Sequence, residues 1–116
     1  MNVLAWILGL ILVVVFGTVG LAKLFDLDRL RDHLGYSATQ YRLIGLWEIV
    51  SAAGVIIGLI YRRWEWLGPT GAVMLMSLLF GAMMAHARVE DPAKKVIPAV
   101  VLFVVALVFA VVISLR

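Results

Sequence analysis

Apolar residues run in four long blocks, Val3 to Ala22, Leu43 to Tyr61, Leu67 to Ala85 and Val96 to Leu115, separated by short polar segments. Each block approaches or reaches the roughly 20 residues that an α-helix needs to cross the hydrocarbon core of a bilayer. The pattern predicts an all-α, membrane-spanning antiparallel four-helix bundle, a single domain over residues 1–116 with spans at about 3–22, 38–61, 67–88 and 96–115. The first block lacks a basic leader, and its length exceeds the roughly 7–15 apolar residues of a signal sequence, so it reads as a retained helix.

The connecting segments refine this picture. Leu27, Leu30 and Leu34 recur at helical spacing between a capping Asp26 or Asp28 and a terminating Gly35, which predicts a short interfacial helix between the first two spans. Ser37 followed by Gln40 reads as a capping box that starts the second helix near Ala38. Pro69 and Pro98 fall near the predicted starts of the third and fourth helices, where a missing N–H costs least. Glu90, Asp91 and Pro92 form the turn between those two helices.

An even number of spans puts both chain ends on one side with the Arg62 to Trp66 turn. The Lys23 to Arg42 and His86 to Lys95 connections lie on the other side, called here the loop face. Trp6, Tyr61, Trp64 and Trp66 form an aromatic belt at the turn face, and Tyr36, Tyr41 and Trp47 are expected to anchor the loop face. Small residues are expected to bring helices together: Gly54 with Gly58, Ser77 with Gly81 and Ala85, and Ala106 with Ala110 and Ser114. Gly9, Gly17 and Gly20 offer the first helix a less regular set.

Composition agrees with this class. Hydrophobic residues make up 65% of the chain and charged ones 15%, against about 45–50% and 25% in soluble domains. Little chain remains for a soluble catalytic domain, so function belongs in or on the bundle. The absence of cysteine excludes disulfides, thiol relays, iron–sulfur clusters and cysteine-based zinc sites. The net charge of +3 is spread over the connections, which suits anionic headgroups and argues against nucleic acid. Lys23, Arg29, Arg31, Arg42, Arg88, Lys94 and Lys95 outnumber Arg62, Arg63 and Arg116, which would place the loop face inside. Setting aside Lys23, Arg42 and Arg88 as members of a polar site removes that bias, so orientation stays open.

Glu48 stands out because it lies six positions into an apolar block. A carboxylate at that depth costs about 2.5–3.5 kcal/mol on insertion scales and needs a partner, a cavity or a route for a ligand or proton. Helix direction gathers Lys23, Gln40, Arg42, Glu48, His86, Arg88 and Asp91 at one membrane level. Arg42 precedes Glu48 by about 9 Å along the axis. Tyr41, Gly45, Ser51 and Ala52 share the Glu48 face at helical offsets, so that face is expected to point inward.

The candidate polar cluster is therefore Lys23, Tyr41, Arg42, Glu48, His86 and Arg88. Either it binds a polar headgroup or exchanges a proton, or it is an ion pair that ties the first two helices together. Lys23 is the cation nearest in level, unless it snorkels to the headgroups. Arg88 continues the Ser77, Gly81, Ala85 stripe and is expected to face the bundle, with His86 about 200° away. His33 and His86 do not make a convincing haem pair, and Glu48 with His86 lacks a metal-ligand motif. Met74, Met76, Met83 and Met84 are expected to serve ordinary packing before any adaptable pocket.

These residues resemble the DoxX-like family of small four-helix membrane proteins. The resemblance rests on Gly20-Leu21-Ala22-Lys23-Leu24, Leu34-Gly35-Tyr36-Ser37, Tyr41-Arg42-Leu43-Ile44-Gly45 and Glu48-Ile49. It continues through Met76, Gly81-Ala82, His86-Ala87-Arg88 and Pro98-Ala99-Val100-Val101-Leu102, in that order along nearly the whole chain. It implies emphasis on Lys23, Arg42, Glu48, His86 and Arg88, and a multi-pass protein of the bacterial plasma membrane. The family takes its name from a subunit associated with a terminal quinol oxidase, and related proteins are linked to thiosulfate oxidation or oxidative-stress complexes. A binding or accessory component with a pocket for a quinone-like or lipid-like headgroup is the leading expectation, with quinone the candidate cofactor. The alternatives are a quinone-linked oxidoreductase subunit using Glu48 and His86 for proton transfer, and a structural or chaperone-like partner of other membrane proteins or of its own copies.

Overall fold

Helix lengths match the bilayer that the sequence implies. The computed structural model describes residues 2–25, 38–90 and 92–116. It contains α1 (Asn2–Phe25), α2 (Ala38–Ile60), a 3-10 turn (Arg62–Trp64), α3 (Leu67–Arg88) and α4 (Ala93–Leu115). The 23 residues of α2 rise about 34 Å at 1.5 Å per residue, enough for the roughly 30 Å of hydrocarbon. All four long helices are apolar enough to span it. The expected interfacial helix, the Ser37 capping box, Tyr36 and Asp91 lie outside the described residues.

Each long helix packs on its neighbour in sequence, and α4 returns to α1, so the four form an up-down ring. Leu12, Val55, Leu75, Phe109 and Ile113 fill the centre, with the small Ala5, Ala72 and Ala106 letting the helices close around them. The outer surface carries Ile7, Val14, Leu43, Val50, Val73, Phe80, Val104 and Leu115. Such a continuous apolar exterior would drive association in water and is solvated by lipid chains in a membrane.

Several glycines mark close approach between helices, and two of their contacts lie near the ends of the bundle. A Cβ on Gly58 would strike the backbone of Gly68, so α2 and α3 meet almost backbone to backbone next to their turn. A Cβ on Gly20 would come within 2.8 Å of the Gly45 carbonyl oxygen, which fixes α1 against α2 near the loop face. The expected seam of Ser77 and Gly81 is different: both are exposed, and a Cβ on Gly81 meets nothing within 4 Å. Large leucines, Leu75 and Leu79, make the inward face of that part of α3 instead.

The turn face is closed by Arg116, whose side chain is 4% exposed. Its Nε donates to Glu65 Oε1 at 3.1 Å, one terminal nitrogen donates to Asn2 Oδ1 at 2.9 Å, and the other donates to the Leu59 carbonyl at 3.0 Å. One guanidinium thus joins α1, the end of α2 and the α2–α3 turn. It also satisfies a carbonyl that the end of α2 leaves without a helical donor. Around it, Tyr61, Trp64 and Trp66 are exposed, and the Arg63 guanidinium lies 5.8 Å from the Trp64 ring centre, as expected of an interfacial belt.

α4 begins at Ala93, after Pro92 in an extended conformation (φ −63°, ψ 154°). Pro98 consequently lies inside the helix and not in its first turn. Having no N–H, it leaves the Lys94 carbonyl without its helical donor.

Candidate functional site

The site begins with the α1–α2 glycine contact. Because Gly20 and Gly45 have no side chains, α2 can present Glu48 directly to the last turn of α1. A Cβ on Gly45 would also come within 2.9 Å of the Lys23 Cβ, so this glycine makes room for the lysine stem. Lys23 turns inward and donates from Nζ to Glu48 Oε1 at 2.7 Å. The carboxylate is 2% exposed and the ammonium 20%, so the charge lies in the bundle while its partner reaches it from the rim.

Glu48 Oε2 has a different environment. It is buried and has no hydrogen-bond partner among the described residues. An ionised carboxylate can accept at about four lone-pair positions, and one left bare in an apolar interior costs about 1–3 kcal/mol or more. Glu48 also forms part of the wall of a partly open cavity of about 570 Å³, within the ordinary range of small-molecule sites. Lys23, Tyr41, Trp47, Glu48, Ser77 and His86 supply its polar groups, and Val15, Phe16, Val19, Leu78, Leu79 and Leu102 form much of its apolar wall. A molecule with a polar head and an apolar body fits this division. The head can give Oε2 a hydrogen bond and take one from the Lys23 donors that Oε1 does not use.

The inward face read from the sequence is present, since Tyr41, Gly45, Glu48, Ser51 and Ala52 are all buried. Four of the six candidate side chains, Lys23, Tyr41, Glu48 and His86, line one cavity. Arg42 does not: it is exposed, because six residues of helix rotate it about 240° from Glu48. Arg88 does not either. It lies with Gly81, Met84, Ala85 and Ala87 along a second, outer groove.

The expected facing of His86 and Arg88 is therefore reversed. The inward stripe of α3 runs through Gly68, Ala72, Leu75 and Leu79, and His86 follows Leu79 by seven residues on that face. Tyr41 is also corrected as an interfacial anchor, since it is 4% exposed. Of the α3 methionines, none lines the Glu48 cavity, and Met76 packs against the core. Among the described residues, no three His, Cys, Asp or Glu side chains converge to hold a metal ion.

Two cavity residues did not stand out as members of the polar group. Trp47 lines the cavity and donates from Nε1 to the Met74 carbonyl at 3.0 Å, linking α2 to α3. Ser77 donates from Oγ to the same carbonyl at 2.7 Å. Trp47 lies next to the inward Glu48 on its helix, and that adjacency is the signal the sequence carries for it.

A protein-family model described as the DoxX-like family matches residues 7–109. No curated protein and no solved structure matches the chain.

Proposed function

This chain belongs to the DoxX-like family, and we propose that it is a membrane-embedded binding or accessory component whose Glu48 cavity holds the headgroup of a quinone-like or lipid-like molecule. The observation that supports this reading is that Glu48, whose Oε2 is buried without a partner among the described residues, forms part of the wall of a cavity of about 570 Å³. A purely structural ion pair would gain by burying both carboxylate oxygens against donors or by leaving no space beside them. Here one oxygen is held by Lys23 and the other has no donor among the described residues.

The head that fits is a hydroxyl, or another N–H or O–H donor, with an acceptor oxygen next to it. Glu48 accepts from the donor, Lys23 donates to the acceptor, and the apolar walls hold the first part of the tail. On this reading the site lies in a bacterial plasma membrane, where both quinols and glycerolipids offer such heads.

Mass spectrometry of lipids and quinones that copurify with the detergent-extracted protein tests this. The unsubstituted chain is expected to retain a defined amphiphile that Glu48→Gln and Lys23→Met lose. If Glu48→Gln kept the same copurifying molecules and lowered only thermal stability, the pair would be a tie between helices and the reading would fall.

A second reading is supported by the presence of His86 on the wall of the same cavity. In it, Glu48 and His86 exchange protons with a bound quinone as a partner oxidises or reduces it. The discriminating result is quinone turnover, in the presence of a donor protein, that His86→Gln abolishes while binding persists.

A further inference from the structure

We propose that the α2–α3 seam on the loop-face side is a lateral entrance from the bilayer to the Glu48 cavity, through which a single-tailed amphiphile with a hydroxyl head loads; this rests on the headgroup reading above.

The seam changes character along its length. From the Arg62–Trp64 turn to the middle of α2 it is sealed by glycine contacts, Gly58 on Gly68 and Gly71 on the Ser51 and Val55 backbone. Towards the loop face no such contact continues among the described residues. Gly81 has open space where a side chain would stand, and both Ser77 and Gly81 are exposed while also lining the cavity. A residue that faces the inner cavity and the outer surface at once is part of an opening.

Gly81 also borders the outer groove beside Met84 and Arg88. Inner and outer spaces therefore share one side-chain-free position.

Trp47 forms the opposite edge. It is 44% exposed, lines the cavity and reaches across the seam to the Met74 carbonyl, which also accepts the Ser77 hydroxyl. This indole bridge holds α2 and α3 together above the part of the seam that lacks glycine contacts, as a lintel does.

The depth of the opening selects the source of the ligand. Gly81 and Ser77 precede Arg88, the last residue of α3, by about 10 and 16 Å along the helix axis. That is the level of lipid chains and not of the aqueous phase. A ligand entering there arrives from the membrane, places its head against Glu48 on the cavity wall and leaves its tail in the gap at Ser77 and Gly81.

The test uses the full chain in nanodiscs, with Trp6, Trp64 and Trp66 replaced by Phe so that Trp47 is the sole reporter. The probe is 11-bromoundecanol, a hydroxyl-headed amphiphile whose bromine quenches tryptophan. Gly81→Leu and Ser77→Leu narrow the gap from two positions, and the outward Phe80→Leu is the control. Thermal melting establishes which variants fold, and either gap variant suffices.

Both gap variants are expected to slow the onset of Trp47 quenching by about tenfold, within the one to three decades over which on-rates vary among variants of one interface. The entrance is read from that rate, and the headgroup contact from the final amplitude, which Glu48→Gln should reduce. If quenching depended on Glu48 but its rate were unaffected by Gly81→Leu and Ser77→Leu, the lateral entrance would be overturned and the headgroup reading would stand. Quenching independent of Glu48 in every variant would overturn both.

Discussion

Gly20 and Gly45 face each other across the α1–α2 seam so closely that a Cβ on either would lie 2.8 Å from the other's carbonyl oxygen. The contact matters because Lys23 and Glu48 each lie three residues beyond one of these glycines, on the same faces. Helix proximity sets the reach of the ion pair. Without it, the lysine of one helix end would extend to the headgroups and the carboxylate would be alone in the bundle.

Gly45→Ala is therefore expected to push α1 and α2 apart at the site and to lower stability by about 1–3 kcal/mol, the usual cost of overpacking. Gly17→Ala is the matched control on α1. Nothing lies within 4 Å of its added Cβ, so helix propensity alone acts and stability rises by up to about 1 kcal/mol. Thermal unfolding in one detergent compares the two. Equal losses would mean that the Gly20–Gly45 contact has no special role.

The fold was legible in the sequence because membrane helices announce themselves by length and apolarity, and short connections force neighbours to run antiparallel. The inward face of α2 was legible for a related reason: Glu48 and Ser51 are polar, share one side, and must avoid lipid. The facing of α3 was not. Its residues Ser77, Gly81 and Ala85 look like a packing seam, but small residues also occur beside an opening, where nothing packs on them. Periodicity cannot separate these cases, so His86 and Arg88 were assigned to the wrong sides. Arg116 was unreadable as a clamp, since its partners Asn2, Glu65 and Leu59 are distant in sequence and meet only when all the helix ends converge.

That convergence leads to a test on the far side of the bundle. Arg116→Lys keeps the charge but loses the fork that reaches Glu65, Asn2 and the Leu59 carbonyl together. Stability should fall by about 1.5–3 kcal/mol, the range for hydrogen bonds to a charged group. Because Arg116 lies at the turn face, Glu48-dependent ligand retention should be unchanged. A loss of retention in a folded Arg116→Lys protein would show that the two ends of the bundle are coupled.

At the end of α3 the backbone makes its own demand. Glu90 has φ of 57°, in the left-handed region that costs an L-residue about 1–2 kcal/mol, and its N–H donates to the Ala87 carbonyl as the helix closes. Glycine and asparagine suit such a closing position, whereas a β-branched residue does not. Melting temperatures should rank Glu90→Gly above Glu90→Asn, then the unsubstituted chain, then Glu90→Val. A Val variant as stable as the Gly variant would contradict the left-handed turn.

The Lys23–Glu48 pair gives the sharpest separation of stability from binding. Lys23→Met leaves a carboxylate with neither oxygen paired in a buried site, and breaking a buried pair from one side costs about 3–5 kcal/mol. Glu48→Leu removes the charge that needed a partner, so the double variant Lys23→Met with Glu48→Leu should recover most of that loss. Thermal unfolding of both single variants and the double variant measures the coupling. If the pair exists only to join α1 to α2, the recovered double variant should behave as the unsubstituted protein in every other assay. If the cavity is a binding site, it should be as stable as the unsubstituted protein and yet hold no copurifying amphiphile, because the donor and the acceptor for the headgroup have both gone. A stable double variant that still retained the ligand would place the binding determinant elsewhere on the cavity wall.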